Sequence, residues 1–172
     1  KKAAPAHKAP PVHKTDLKTM LDQKTSMATP EQNAAVRTYT GSAYKRINGG
    51  LRQGKKHSPE VKHLDELFEA VPATTKPTTV YRSVREMPEH FRKGHDFVDK
   101  GFVSTSTNTH TGFGHVRLVI EVPKGAKVLD VNGVSKSKFP GEAEFLLPRG
   151  SRFDIGDVVP DGPGVIVYAR LV

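Results

Sequence analysis

The spacing of apolar residues along the chain changes from helical to strand-like near residue 79. Thr29-Pro30-Glu31-Gln32 places an N-cap residue, a proline at the first helical position and a glutamine three residues on, which predicts a capped helix ending near Gly41. A second helix is expected from Ser42 to Leu51, its end weakened by Gly49-Gly50. Ser58-Pro59-Glu60 opens a third. Its apolar stripe of Val61, Leu64, Leu67, Phe68 and Val71 recurs at helical spacing, and Pro72 stops it. Beyond that, β-prone runs occupy 79–84, 101–106, 116–122, 126–131, 142–147, 151–158 and 164–171, separated by Gly, Pro, Asn and Asp turns. A short helix near Pro88–Phe91 is expected to interrupt them. Helices first and strands afterwards predict an α+β domain around two packed sheets.

Residues 1–30 break this pattern. They are rich in Lys, Ala and Pro and poor in large apolar residues, so they bury too little surface to order themselves and read as a linker or tail. Asp16 to Met27 is the one stretch there with the makings of a short helix. The division is therefore a basic tail over 1–30 and a folded domain over 31–172. The first residues, Lys-Lys without a methionine, read as cut from a longer polypeptide. The formal net charge of +9 and pI near 9.8 favour an anionic partner or substrate. The absence of cysteine excludes a disulfide framework and thiolate chemistry. No apolar run approaches the ~18 residues of a membrane span, and no signal-peptide core is present.

Candidate chemistry concentrates in Glu142-Ala143-Glu144, after a glycine and before the apolar run Phe145-Leu146-Leu147. Residues two apart in a strand share a face, so both carboxylates are expected side by side. A solvated strand face would explain the pair. So would chemistry in which one carboxylate stabilises a developing cation and the other handles a proton. Two upstream runs bear on this choice: Thr79-Val-Tyr-Arg82-Ser83-Val84 and Gly101-Phe-Val-Ser104-Thr105-Ser106. In this order, Arg82, Ser104-Thr105-Ser106 and Glu142-x-Glu144 resemble the arginine–serine–glutamate class of mono-ADP-ribosyltransferases. Tyr39-Thr-Gly-Ser-Ala-Tyr44 and the residues up to Asn48 resemble the helix before the arginine strand in the toxin branch.

The resemblance implies N-terminal helices packed on a split two-sheet β-sandwich, with nicotinamide adenine dinucleotide (NAD) as co-substrate and no metal. It implies Arg82 on the pyrophosphate, Ser83, Ser104, Thr105 and Tyr44 around the cofactor, and Phe113 stacked on nicotinamide, with Phe102 as the competing aromatic. Ser104 would orient Glu144, which faces the ribosyl cation, and Glu142 would serve the acceptor side. In that family a glutamate at the Glu142 position goes with arginine as acceptor, and a glutamine with asparagine or guanine. The loop 131–139 would recognise the acceptor, with Phe139 and Lys138 at the target. Lys136 and Lys138 suit acidic surroundings or a nucleic acid better than a bare arginine. The expected partner is a macromolecule, a protein ahead of a nucleic acid, with an immunity protein a further candidate and the enzyme itself a monomer. Secretion or injection, and action in the target-cell cytoplasm, are implied as well. Two rivals stand beside it: a same-fold enzyme acting on RNA or DNA, and a non-enzymatic basic binding module. The histidine pairs 57/63, 90/95 and 110/115 lack the spacing of a helical metal site.

Overall fold

The computed structural model describes residues 29–89, 91–107, 115–131 and 144–172. Helix α1 (Pro30–Thr38) begins with the expected capping box. The Gln32 amide N–H donates to Thr29 Oγ1 at 3.2 Å, and the Thr29 N–H donates to Gln32 Oε1 at 3.1 Å. The chain does not break at Gly41. A π-helical turn over Tyr39–Ala43 carries it directly into α2 (Tyr44–Arg52). Such a turn admits an extra residue without releasing the helical hydrogen-bond run, so glycine is accommodated rather than terminating. Helix α3 (Pro59–Ala70) follows, and its Val61, Leu64, Leu67 and Phe68 are buried.

Among the described residues eight strands follow: β1 (Thr78–Val84), β2 (Asp96–Asp99), β3 (Val103–Ser106), β4 (Val116–Val122), β5 (Leu129–Asp130), β6 (Glu144–Leu147), β7 (Ser151–Asp161) and β8 (Gly164–Leu171). The segment near Pro88 is a turn closed by the Phe91 N–H on the Pro88 carbonyl at 3.0 Å, not a helix. Strand β2 escapes the sequence pattern because four residues with an aspartate at each end show too little alternation, and only pairing with β7 makes them a strand.

Hydrogen bonding links the strands in the order β2-β7-β8-β4-β1-β3-β6-β5. The link between β1 and β3 is a single register pair, Tyr81 with Ser106, whereas β1 and β4 pair along their whole length. That narrow junction divides the strands into a larger set and a smaller set, β3-β6-β5. The smaller set contributes apolar residues on both faces. Val103, Phe145 and Leu147 join the core shared with β1, β4, β7 and β8. Phe102, Leu129 and Leu146 join a second core with α1, α2 and α3. Helices, small sheet and large sheet therefore stack as the expected split sandwich, because alternate residues of β6 face opposite layers.

The turn into β3 is clamped from the helices. Asn48 on α2 accepts from the Phe102 N–H at 2.9 Å and donates to the Phe102 carbonyl at 3.2 Å. Glycine at 101 allows this approach: a Cβ there would sit 2.9 Å from Asn48 Oδ1 and 3.2 Å from Arg52 Nη2. Gly101→Ala should therefore cost ~1–3 kcal/mol, as overpacking does, read as a lower denaturant midpoint. An unchanged midpoint would mean that Asn48 swings aside freely.

Candidate active site

The β1/β3 junction gathers the polar residues that the sequence singles out. Arg82 lies on β1 between Val80 and Val84, whose side chains meet the sandwich core, so alternation turns its guanidinium inward. Its Nη1 donates to the Ser104 carbonyl at 2.8 Å. In the β3–β6 ladder Ser106 lies opposite Glu144, and Ser104 opposite Leu146. Leu146 belongs to the helix-side core, so Ser104, Ser106 and Glu144 share the face that looks toward the helices. Thr105 points the other way. It is buried, and its hydroxyl donates to the Phe145 carbonyl at 2.7 Å, locking β3 to β6. Ser83 is half-buried on β1 opposite Arg117, on the alternate face from Arg82.

Tyr39 closes the site from the helical side. Its ring is 1% exposed, its hydroxyl accepts from Asn48 Nδ2 at 2.9 Å, and it is hydrogen-bonded to the Ser104 side chain. Burial holds the Tyr39 phenol above its ordinary pKa. The Asn48 and Ser104 hydrogen bonds and the Arg82 charge oppose that shift, while the Glu144 charge adds to it. Tyr39 thus feels Ser104, Arg82 and Glu144 together. Tyr44, expected against the cofactor, lies at the rim, 40% exposed, with its ring edge-on to Tyr39 at 6.4 Å.

A second arginine stands beside Arg82. Burial lowers the Arg82 guanidinium below its ordinary pKa; the charge of Asp99 opposes this and the charge of Arg52 adds to it. Asp99, itself buried, is held by Arg52 in a two-point pair with both N···O distances 3.0 Å, and it accepts from the Gly101 N–H at 2.9 Å. Asp99 is thus ion-paired with Arg52, and its charge is also felt at Arg82. A guanidinium is well matched to phosphate oxygens.

Tyr39, Asn48, Arg52 and Asp99 were not picked out as site residues from the sequence. A signal existed for two of them, since Tyr44, Asn48 and Arg52 recur every four residues along one helix. Phe113, Lys138, Phe139 and Glu142 lie outside the described residues. Among the described residues there is no group of three or more His, Cys, Asp or Glu placed to hold a metal. No helix among them is long and apolar enough to cross a membrane.

Comparison with known proteins agrees with this fold. The family model described as ADP-ribosyltransferase exoenzyme matches residues 14–162. The fold is similar to the C3 exoenzyme of Clostridium limosum, with a TM-score of 0.77 at 22% identity over 95% of this chain and 97% of that one. It is also similar to C3stau2 of S. aureus, solved with NAD, with a TM-score of 0.76 at 19% identity over 97% of this chain and 99% of that one. An uncharacterised protein of Acanthamoeba polyphaga mimivirus is 30% identical over 101 residues, 55% of this chain, and the match spans only 14% of that protein's length. The chain belongs to the ADP-ribosyltransferase exoenzyme family, enzymes that transfer ADP-ribose from NAD.

Proposed function

We propose that this protein moves ADP-ribose from NAD to an arginine side chain of a target protein, as a toxin, effector or phage-encoded modifier delivered into the cell where it acts. The observation that carries the reading is the meeting of Arg82, Ser104 and Glu144 at one junction, under Tyr39. Arg82, with Arg52 beside it, binds the pyrophosphate, whose negative charge relieves the repulsion between the two guanidiniums. Ser83, Thr105, Tyr44 and Phe113 are the remaining candidates around the cofactor. Of these, Thr105 acts through the β3–β6 lock it makes.

Glu144 carries the central step. As the bond between ribose C1′ and the nicotinamide nitrogen breaks, nicotinamide leaves with the electron pair and positive charge develops on the ribose. A fixed carboxylate facing that charge lowers the barrier, as in glycoside hydrolysis. Glu142 serves the acceptor. A guanidinium is protonated at neutral pH and nucleophilically poor, so a carboxylate beside it orients it and takes its proton as the new C1′–N bond forms. Glutamate rather than glutamine at 142 supports arginine as acceptor, on the family pattern. Phe139 and Lys138 contact the target. A nucleic-acid acceptor is the second reading, motivated by Lys136, Lys138 and the six lysines of residues 1–30.

Glu144→Gln should lower both NAD hydrolysis and transfer by roughly 100-fold or more, the scale of losing a fixed transition-state charge, with the circular dichroism spectrum unchanged. Retained activity would remove Glu144 from the site. Glu142→Ala should lose transfer to agmatine, a small guanidine acceptor, while keeping NAD hydrolysis; parallel loss of both would take Glu142 off the acceptor side. Labelled NAD in protease-treated and RNase-treated lysate separates the two acceptor classes, because label on a protein vanishes with protease and label on RNA with RNase. Tyr39→Phe removes the hydroxyl that meets Ser104. It should reduce kcat for NAD hydrolysis roughly tenfold through misplacement and cost about 1 kcal/mol of stability. An unchanged kcat would mean that Ser104 is positioned without it.

A further inference from the structure

The positive charge of the folded domain is concentrated in one short stretch. Between Glu31 and Glu60 the sequence holds six basic residues, Arg37, Lys45, Arg46, Arg52, Lys55 and Lys56, and no acidic one. From Glu60 to Val172 the chain holds fifteen basic and fifteen acidic residues. All six cations are exposed, on the end of α1, on α2 and in the loop that follows. Two are ion-paired: Arg46 with Glu60 at 3.2 Å, and Arg52 with Asp99. Among the described residues Arg37, Lys45, Lys55 and Lys56 have no carboxylate within ion-pair distance. A one-sign surface of this kind projects a field that steers an oppositely charged partner.

The glycines of α2 give a second, independent observation. A Cβ at Gly49 or Gly50 would meet nothing within 4 Å, and neither residue needs a left-handed backbone. The fold therefore gives no reason for glycine, although each costs the helix roughly 0.5–1 kcal/mol relative to alanine. What glycine does there is leave the backbone bare between Arg46 and Lys55, so that another surface can lie close against it. This face borders the site, because Tyr44 on α2 packs on Tyr39.

We propose that the outer face of α2 and the loop 53–58 form a docking surface for an acidic patch on the protein that carries the acceptor arginine. The proposal rests on the protein-arginine reading above. A protein fits better than a nucleic acid, because Tyr44 is the one exposed aromatic among these cations and single-stranded bases bind largely by stacking on aromatic rings. The bare helix face also admits a complementary protein surface without insertion into a groove.

The test uses the full chain and two fluorescein-labelled peptides, each with a single arginine, flanked by aspartates in one and by serines in the other. Fluorescence anisotropy should show the aspartate peptide binding on the order of tenfold tighter at low salt, with the preference shrinking as salt rises. Lys55→Glu/Lys56→Glu should abolish the preference and leave NAD hydrolysis unchanged. Gly50→Ala should raise Tm while weakening the aspartate peptide, a pairing that a purely structural glycine would not give. Equal binding of both peptides by the wild type, an undiminished preference in the double lysine variant, or tighter binding of a labelled RNA of matched charge overturns the proposal. Transfer to agmatine is followed in parallel. If agmatine is not modified while NAD is hydrolysed, the arginine reading fails, and the anisotropy still reads the docking face by itself. If agmatine is modified and no acidic preference exists, only the docking face fails.

Discussion

One buried amide holds the helical layer to the start of β3. Asn48 engages the Phe102 backbone through both its carbonyl and its amino group, and its amino group also meets the Tyr39 hydroxyl. A buried amide left half-satisfied would cost more than its bonds contribute, so the three partners must come together or not at all. That requirement sets the height of α2 over β3. It brings Tyr39 to Ser104 and forces the residue before Phe102 to be a glycine. The π-helical turn serves the same end. By adding a residue before α2, it keeps Tyr39 buried while Tyr44 remains at the rim.

The electrostatics of the site follow from this clamp. With β3 held against α2, Arg52 reaches the aspartate at the end of β2, and Arg82 reaches across from β1 to the Ser104 carbonyl. Arg52 is then paired with Asp99, whose charge, like that of Arg52, is felt at the buried Arg82 guanidinium. Glu144 sits on the neighbouring strand, at the same junction, where its charge is felt at Tyr39. The Arg82 guanidinium and the Glu144 carboxylate are thus placed by strand pairing rather than by distance along the chain. The basic face of α2 extends the positive end of this arrangement outward to the solvent.

The capping box at Thr29, the stripe of α3 and the alternating pattern of β4 were legible because they are local. Each depends on residues within a few positions of one another, and the structure has them at Pro30, Pro59–Ala70 and Val116–Val122. Arg82, Ser104 and Glu144 each stand on a strand-like run, and the structure brings them to neighbouring strands. Local reading failed where pairing or packing decides. Strand β2 exists through β7, and the turn at Pro88–Phe91 stays a turn. The apparent break at Gly41 is bridged because the helices on either side are held by the same core.

By itself the sequence determined the α+β order, the charge, the absence of cysteine and which polar residues stand on strand-like runs. Tertiary structure alone decided which of them face one another. Whether Ser104 or Thr105 looks toward the helices depends on the register of β3 with β6. Whether Tyr39 or Tyr44 meets the site depends on an extra helical residue that no propensity announces. Asn48, Arg52 and Asp99 gained their roles through hydrogen bonds spanning 47 and 54 positions of the chain. Contacts between residues that far apart leave no periodic trace in the sequence. They form only when layers already specified by local patterns close upon each other.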